Sequence, residues 1–258
     1  MVVAAEVAAA LDGAVTGRRA LAAPFTDTDP SLDTATAYAI QDLVVAARTA
    51  RGGRIVGAKL GLTSRAKQQR MNVDEPLYGW LTSDMLLATG VPVDLGAFIH
   101  PRAEPEIAFL LAAEIALPAT VTSVLAATDR VFGAIEIIDS RYDGFRFRHP
   151  DVVADNASSA AVVVGSVAVA PADVGDLRLT GCVLRADGEV VATAAGAAVL
   201  GHPAESVAWL ANELDRRGRR LPAGSIVLSG GLTDAVALRA GGQVSAEFDG
   251  LGVVAVWS

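Results

Sequence analysis

The spacing of apolar residues changes character near residue 52. Ahead of that point they recur every three or four positions, predicting helices over residues 2–16 and 32–50. The second helix follows Asp29-Pro30-Ser31, stops at Gly52-Gly53 and turns Tyr38, Leu43, Val44 and Ala47 inward. Beyond it, short β-rich runs predict strands near 54–60, 104–113, 131–139, 160–168, 176–185, 189–195, 225–230, 243–248 and 252–257. Helices are expected over 63–71, after Thr63-Ser64, over 121–130, after Pro118 and Thr120, and over 203–217, opened by Pro203 and stopped at Gly218. Three helices among nine strands are too irregular for repeated βαβ units, so the pattern predicts an α+β fold built on an antiparallel or mixed sheet. No repeat or linker divides the chain. The organisation expected is an N-terminal helical lobe, 1–52, and one larger domain, 53–258.

Composition narrows the function. The chain has 258 residues, 52% of them hydrophobic, enough for a substantial core. Its net charge of -8, with no basic run longer than that around Arg216 to Arg220, argues against nucleic acid as a partner. The Ala/Val-rich N-terminus has no basic leader and is interrupted by Glu6 and Asp12, so it reads as an amphipathic helix of a cytoplasmic protein. No apolar window reaches the roughly 20 residues of a membrane span. The single cysteine, Cys182, lies in the apolar LTGCVLR and reads as a core residue.

Candidate chemistry begins at HPRAEPEIAFLL, residues 100–111, where Glu104 and Glu106 stand two positions apart. In a strand such residues share a face, and at about 5 Å with an effective dielectric near 20 two unpaired carboxylates repel by roughly 3 kcal/mol. A third acid, Glu136 in GAIEIIDSRY, also sits in an apolar strand. Each alone reads as the exposed member of an alternating strand. Together, without histidine or cysteine nearby, they suit a hard cation, Mg2+ or Mn2+.

Lys59 in RIVGAKLGLTS is a lone cation in an apolar strand, either snorkelling at a strand end or clamping an anionic substrate and donating a proton. It precedes Gly61, which is the wrong order for a phosphate loop. Asp155-Asn156 is either a turn before a strand or part of a site, and Ser229 to Thr233 is either a hairpin connection or a cradle for a carboxylate. Arg146, Arg148 and His149 are either solvated loop residues or a rim that reads a second carboxylate. The three histidines lack metal-ligand spacing, and no GxSxG elbow occurs.

GAKLGLTS, DEPLYGWL, HPRAEPEIAFLL, AIEIIDSRY, ADNASSA, HPAESVAWLANEL and AGSIVLSGGLTDAV follow one another in an order that resembles the 2-keto-4-pentenoate hydratase and 4-oxalocrotonate decarboxylase family of the fumarylacetoacetase-like superfamily. The likeness runs from Tyr38 to the C-terminus. It implies a mixed β-roll or barrel-like fold and a divalent metal held at Glu104, Glu106 and Glu136. It also implies Lys59 and Asp74 as catalytic residues, with Leu60, Asp155, Asn156, Arg148, Ser229 and Thr233 toward the substrate. The histidine that fumarylacetoacetase-type hydrolases carry soon after a metal-binding acid is missing from DEPLYGWLTSDM, against a C–C hydrolase.

SRYDGFRFRHPDVVADNASS resembles the decarboxylase branch. The resemblance therefore implies decarboxylation of 2-oxohex-3-enedioate in aromatic meta-cleavage catabolism, with hydration of 2-hydroxypenta-2,4-dienoate as the alternative. A non-catalytic partner subunit is a third reading, which retention of the three acids and Lys59 opposes. A small 2-oxo acid substrate, a homo-oligomer and a companion hydratase are the partners it suggests.

Overall fold

The computed structural model describes residues 3–258. Helices α1 (Ala4–Gly17), α2 (Phe25–Thr28) and α3 (Thr34–Ala50) come first. The predicted start of the first helix at Val2 lies outside the described residues. Val7, Leu11 and Ala14, one helical face, are buried in α1. Asp33 caps α3 by accepting the Thr36 N–H at 2.7 Å. The inward face of α3 is Ala37, Tyr38, Ile40, Gln41 and Val45, whereas Leu43 is exposed. Leu43 is expected inside because it is apolar, but neighbours on two sides, helices α1 and α6 (His149–Ala154), set the rotation of α3.

Twelve strands follow among the described residues. They are β1 (Ile55–Gly61), β2 (Leu77–Thr82), β3 (Leu86–Leu87), β4 (Arg102–Leu111), β5 (Thr128–Ile138), β6 (Ser159–Val169), β7 (Gly181–Ala186), β8 (Glu189–Ala195), β9 (Ile226–Leu228), β10 (Val236–Ala237), β11 (Gln243–Phe248) and β12 (Gly252–Trp257). Helices α4 (Arg65–Met71), α5 (Val121–Ala127), α6 (His149–Ala154) and α7 (Pro203–Arg216) connect them. The eight-stranded sheet runs β2-β1-β9-β4-β5-β6-β3, with β10 also on β4, and the second sheet runs β12-β11-β7-β8. Among the strands of the described residues, only β1 with β9 and β3 with β6 pair in parallel, so the expected mixed α+β architecture is what forms.

The sheets meet where a side chain is missing. A Cβ on Gly133 of β5 would lie 2.4 Å from the ring of Phe248 in β11, so glycine lets that ring seat on the first sheet. Val7 and Leu11 of α1, Ile40 of α3, Phe109 of β4 and Phe248 share one apolar core.

Several boundaries differ from the periodicity. The helix expected to reach residue 130 ends at Ala127, where Thr128 turns its hydroxyl onto the Val124 carbonyl at 2.7 Å and opens β5. The strand expected over 176–185 occupies only Gly181–Ala186. Strand β2 and helix α6 were not expected: β2 is buried along its whole length and so shows no alternation, and α6 is too short for helical periodicity to register.

A break in the large sheet positions the site. β5 pairs with β4 from Arg102 to Leu111, whereas on the opposite edge β9 covers Ala108 to Leu110 and β10 covers Arg102 and Ala103. Between them the chain leaves the sheet as the loop 229–235. Two bonds bridge the gap, Ser229 N–H to the Ile107 carbonyl at 3.0 Å and Leu232 N–H to the Pro105 carbonyl at 2.9 Å. Pro105, which has no N–H to give, is tolerated beside this gap.

Candidate active site

Alternation along β4 turns Arg102, Glu104 and Glu106 to one face, from the strand's open end inward. Glu136 of β5 lies directly opposite Glu104 in the antiparallel register. One carboxylate oxygen from each of Glu104, Glu106 and Glu136 lies within 4.8 Å of the others. Glu106 and Glu136 are fully buried and Glu104 is partly so.

Each acid has a different partner. Glu104 Oε1 accepts from Lys67 Nζ at 3.1 Å, and that ammonium also donates to the Thr233 carbonyl at 3.0 Å. Glu136 accepts from Ser159 Oγ at 3.1 Å and pairs with Lys59 Nζ at 3.0 Å. Glu106 Oε2 accepts the Gly230 N–H at 2.6 Å, while its Oε1 is buried with no hydrogen-bond partner among the described residues. Gly230 has φ 113, and Gly231 passes so close that a Cβ there would sit 3.0 Å from the Glu104 carboxyl carbon. The two glycines thus let the 229–235 loop approach the acids.

Lys59 is buried and also donates to the Ala157 carbonyl at 3.0 Å. Burial opposes its charge, but Glu136, Glu106 and Glu104 outweigh that and hold the ammonium above the ordinary lysine range. Burial, then the Glu136 charge, pushes Glu106 well above the usual carboxylate range. Burial raises Glu136 too, against the pull of Lys59. An unpartnered buried oxygen, three converging carboxylates and an all-oxygen donor set together fit a hard divalent cation.

The site opens into a cavity of about 370 Å³. Lys59, Lys67, Arg102, Glu104 and Asp234 supply its charged lining, and Leu62, Leu77, Ile138, Phe145, Phe147 and Val152 much of its apolar wall.

Of the residues expected at a site, Lys59, Glu104, Glu106 and Glu136 converge. The others are placed elsewhere. Leu60 turns to the opposite face of β1 and is buried in the core. Asp74 is exposed in the connection from α4 to β2 and does not line the cavity. Arg148 is exposed just before α6, also outside the lining, because the chain turns Phe145 and Phe147 inward instead. Arg146 pairs with Asp27 at 2.7 Å on the surface.

Asp155, Asn156, Ser229 and Thr233 stand behind the wall. Asp155 is fully buried in an ion pair with Arg141 and accepts from Ser158 Oγ at 3.1 Å. Burial pushes it up to about 6, with Arg141 acting the other way. Asn156 brackets Trp80 of β2, accepting its N–H at 2.7 Å and donating to its carbonyl at 2.9 Å. Asn156, Ala157 and Ser158 all have positive φ, and this left-handed turn aims the Ala157 carbonyl at Lys59. Ser229 is fully buried, its carbonyl accepting from Ser206 Oγ at 2.7 Å, and Thr233 supplies the carbonyl that holds Lys67.

The residues sequence reasoning passed over are Arg102 and Lys67. Arg102 carried a readable signal, since it stands two positions before Glu104 in the same strand. Lys67 carried a weaker one, three residues after the Ser64 cap of α4.

Comparison with known proteins agrees with this architecture. Residues 50–256 match the family described as fumarylacetoacetate (FAA) hydrolase C-terminal. A 4-oxalocrotonate decarboxylase of Pseudomonas sp. (strain CF600) is 45% identical over 223 residues, 86% of this chain and 84% of the relative. A 2-keto-4-pentenoate hydratase of Burkholderia vietnamiensis (strain G4 / LMG 22486) is 42% identical over 253 residues, 97% of this chain and 95% of the relative. The solved 4-oxalocrotonate decarboxylase from Pseudomonas putida G7, complexed with magnesium and adipate, superposes with a TM-score of 0.94 at 39% identity, covering 98% of this chain and 96% of that one.

Proposed function

The chain belongs to the fumarylacetoacetate hydrolase family, and from that premise we propose that it decarboxylates 2-oxohex-3-enedioate (4-oxalocrotonate) to 2-hydroxypenta-2,4-dienoate, with Mg2+ or Mn2+ as cofactor. The observation that carries this reading is the convergence of Glu104, Glu106, Glu136 and Lys59 beside one cavity, which Glu104 and Lys59 line together with Lys67, Arg102 and apolar side chains. Glu104, Glu106 and Glu136 would hold the cation. When bound, it supplies Lewis-acid polarisation of the 2-oxo group.

The chain's own residues supply the rest. As the C5–C6 bond breaks, its electron pair forms the C4–C5 double bond, the C3–C4 pair moves to C2–C3, and the carbonyl pair settles on the C2 oxygen. Carbon 6 leaves as CO2. Lys59, kept charged by its acidic neighbours and oriented by Glu136 and the Ala157 carbonyl, offers a fixed cation to that oxyanion and the proton that completes the 2-hydroxy group. The apolar part of the wall suits neutral CO2 once it has formed. Asp155, Asn156, Ser229 and Thr233 serve by holding the turn and loop against which the substrate packs.

The hydratase relative that spans 97% of the chain supports a second reading, in which the same polarisation lets water add at C4 of the tautomerised dienoate. Purified protein with Mg2+, given each substrate in turn, separates the two by CO2 release and ultraviolet absorbance. Stoichiometric CO2 from the diacid with slow hydration of the monoacid is expected. Efficient hydration without CO2 would replace the decarboxylase with the hydratase, and no turnover of either would leave a non-catalytic subunit. A cytoplasmic homo-oligomer that hands its product to a companion hydratase completes the proposal. Among the described residues, no helix is long and apolar enough to cross a membrane.

A further inference from the structure

We infer that Arg102, stacked on Phe145, is the receptor for the distal carboxylate of a dicarboxylate substrate and so sets the preference for diacid over monoacid. The inference rests on the proposed 2-oxo acid reading and adds the residue that chooses among such acids.

Position is the first argument. Arg102 lies two residues from Glu104 on the same strand face, toward the open end, so its Cα is offset by roughly 6.5 to 7 Å. A six-carbon diacid, with five C–C bonds of about 1.5 Å in a zigzag, separates its terminal carboxyl carbons by about 6 Å. A substrate whose 2-oxo end sits at the three acids therefore brings its far end within reach of the guanidinium.

Charge is the second argument. The guanidinium carbon sits 4.1 Å from the centre of the Phe145 ring. Among the described residues, no ion pair or side-chain hydrogen bond engages that guanidinium. Arg48, Arg51, Arg146 and Arg178, by contrast, each meet a carboxylate, at 2.7, 2.7, 2.7 and 2.5 Å, and the arginines without such a partner other than Arg102 are exposed among the described residues. A part-buried guanidinium in a cavity wall with its N–H groups uncommitted is a binding site for an anion. Lys67, the other lining cation toward the mouth, is already engaged by Glu104 and the Thr233 carbonyl.

The platform under Arg102 is built rather than incidental. Phe145 has φ 58 and follows Gly144 at φ 60, a left-handed turn that tips its ring inward. That ring lies 4.9 Å from the His100 ring, and His100 Nε2 is 2.8 Å from the Ser140 carbonyl. Stacking fixes the guanidinium plane and leaves its edge to form a two-point contact with a carboxylate.

The test uses two probes that lack the C3–C4 double bond and so cannot react, 2-oxoadipate and 2-oxohexanoate, which differ only at the distal end. Calorimetry on the Mg2+-loaded full chain should give at least about tenfold tighter binding of 2-oxoadipate. Arg102→Met, which keeps length and ring contact, should erase that preference while 2-oxohexanoate binds as before, and Arg102→Lys should retain part of it. Unchanged 2-oxohexanoate binding also reports an intact fold. A preference that survives in Arg102→Met, or equal weakening of both probes there and in Arg102→Lys, overturns the inference alone. Failure of the wild-type protein to bind either probe removes the 2-oxo acid reading beneath it.

Discussion

At Glu106, full burial and the adjacent Glu136 raise the carboxyl group, yet the Gly230 N–H is aimed at one of its oxygens and the other has no partner. A group placed this way loses little when neutralised in the metal-free protein and much when a cation needs it. Glu106→Gln should therefore fold normally and weaken Mn2+ binding by at least about tenfold, read by titration of the free ion; unaltered Mn2+ affinity would make Glu106 a structural acid. Lys59 poses the opposite case. Lys59→Met leaves Glu136 buried without its counter-charge, so the metal-free protein should lose about 3 to 5 kcal/mol in denaturant unfolding and turnover should vanish. Unchanged kcat and stability would return Lys59 to a passive role. At this scale the strand rule of two made Glu104 and Glu106 legible, and the same rule applied one step earlier reaches Arg102. Arg148 was legible only as a basic loop residue. Which of several loop side chains turns inward depends on contacts that local sequence does not encode, and here Phe145 and Phe147 took that place.

Among the elements, those with a clear period were readable and those without one were not. α1, α3 and α7 show helical spacing, β5 and β6 are long runs rich in β-branched residues, and β4 is a long apolar run behind its two acids. β2 has no exposed face to mark its period, and its neighbour in space is Asn156, 76 residues away, which binds both backbone groups of Trp80. The packing of α6 onto α3 brings a measurable consequence. His149, the first residue of α6, has its Nδ1 3.3 Å from Thr34 Oγ1, its Nε2 is buried with no hydrogen-bond partner among the described residues, and burial holds it below the ordinary histidine value of 6.5. The unfolded chain therefore binds more protons than the folded one as pH falls through 6.5, and stability is lost on acidification below that point. His149→Phe should flatten the decline of the urea midpoint between about pH 6.5 and pH 5 relative to wild type. Identical slopes in the two proteins would show that the ring is hydrated and titrates normally.

For the whole molecule, the break between β9 and β10 gathers the acidic site from four separate stretches of chain: β1, β4, β5 and the 229–235 loop. No local pattern announces that break, because it is a property of pairing: two short strands cover the ends of β4 and leave its middle to a loop. If the three acids share a cation as proposed, metal binding and global stability are linked. At a free Mg2+ concentration 100 times the dissociation constant, the folded state gains about 2.7 kcal/mol. In a chain of this size each kilocalorie moves the melting temperature by roughly 2 to 4 °C. Adding Mg2+ at that concentration to chelator-treated protein should therefore raise Tm by about 5 to 10 °C and restore CO2 release, Mn2+ should do the same, and Glu106→Gln, its site at least about tenfold weaker, should rise by no more than about half as much. A melting temperature and activity indifferent to exhaustive metal removal would mean that the acids are held together by Lys59 and Lys67 alone, and the metal-dependent reading would end there.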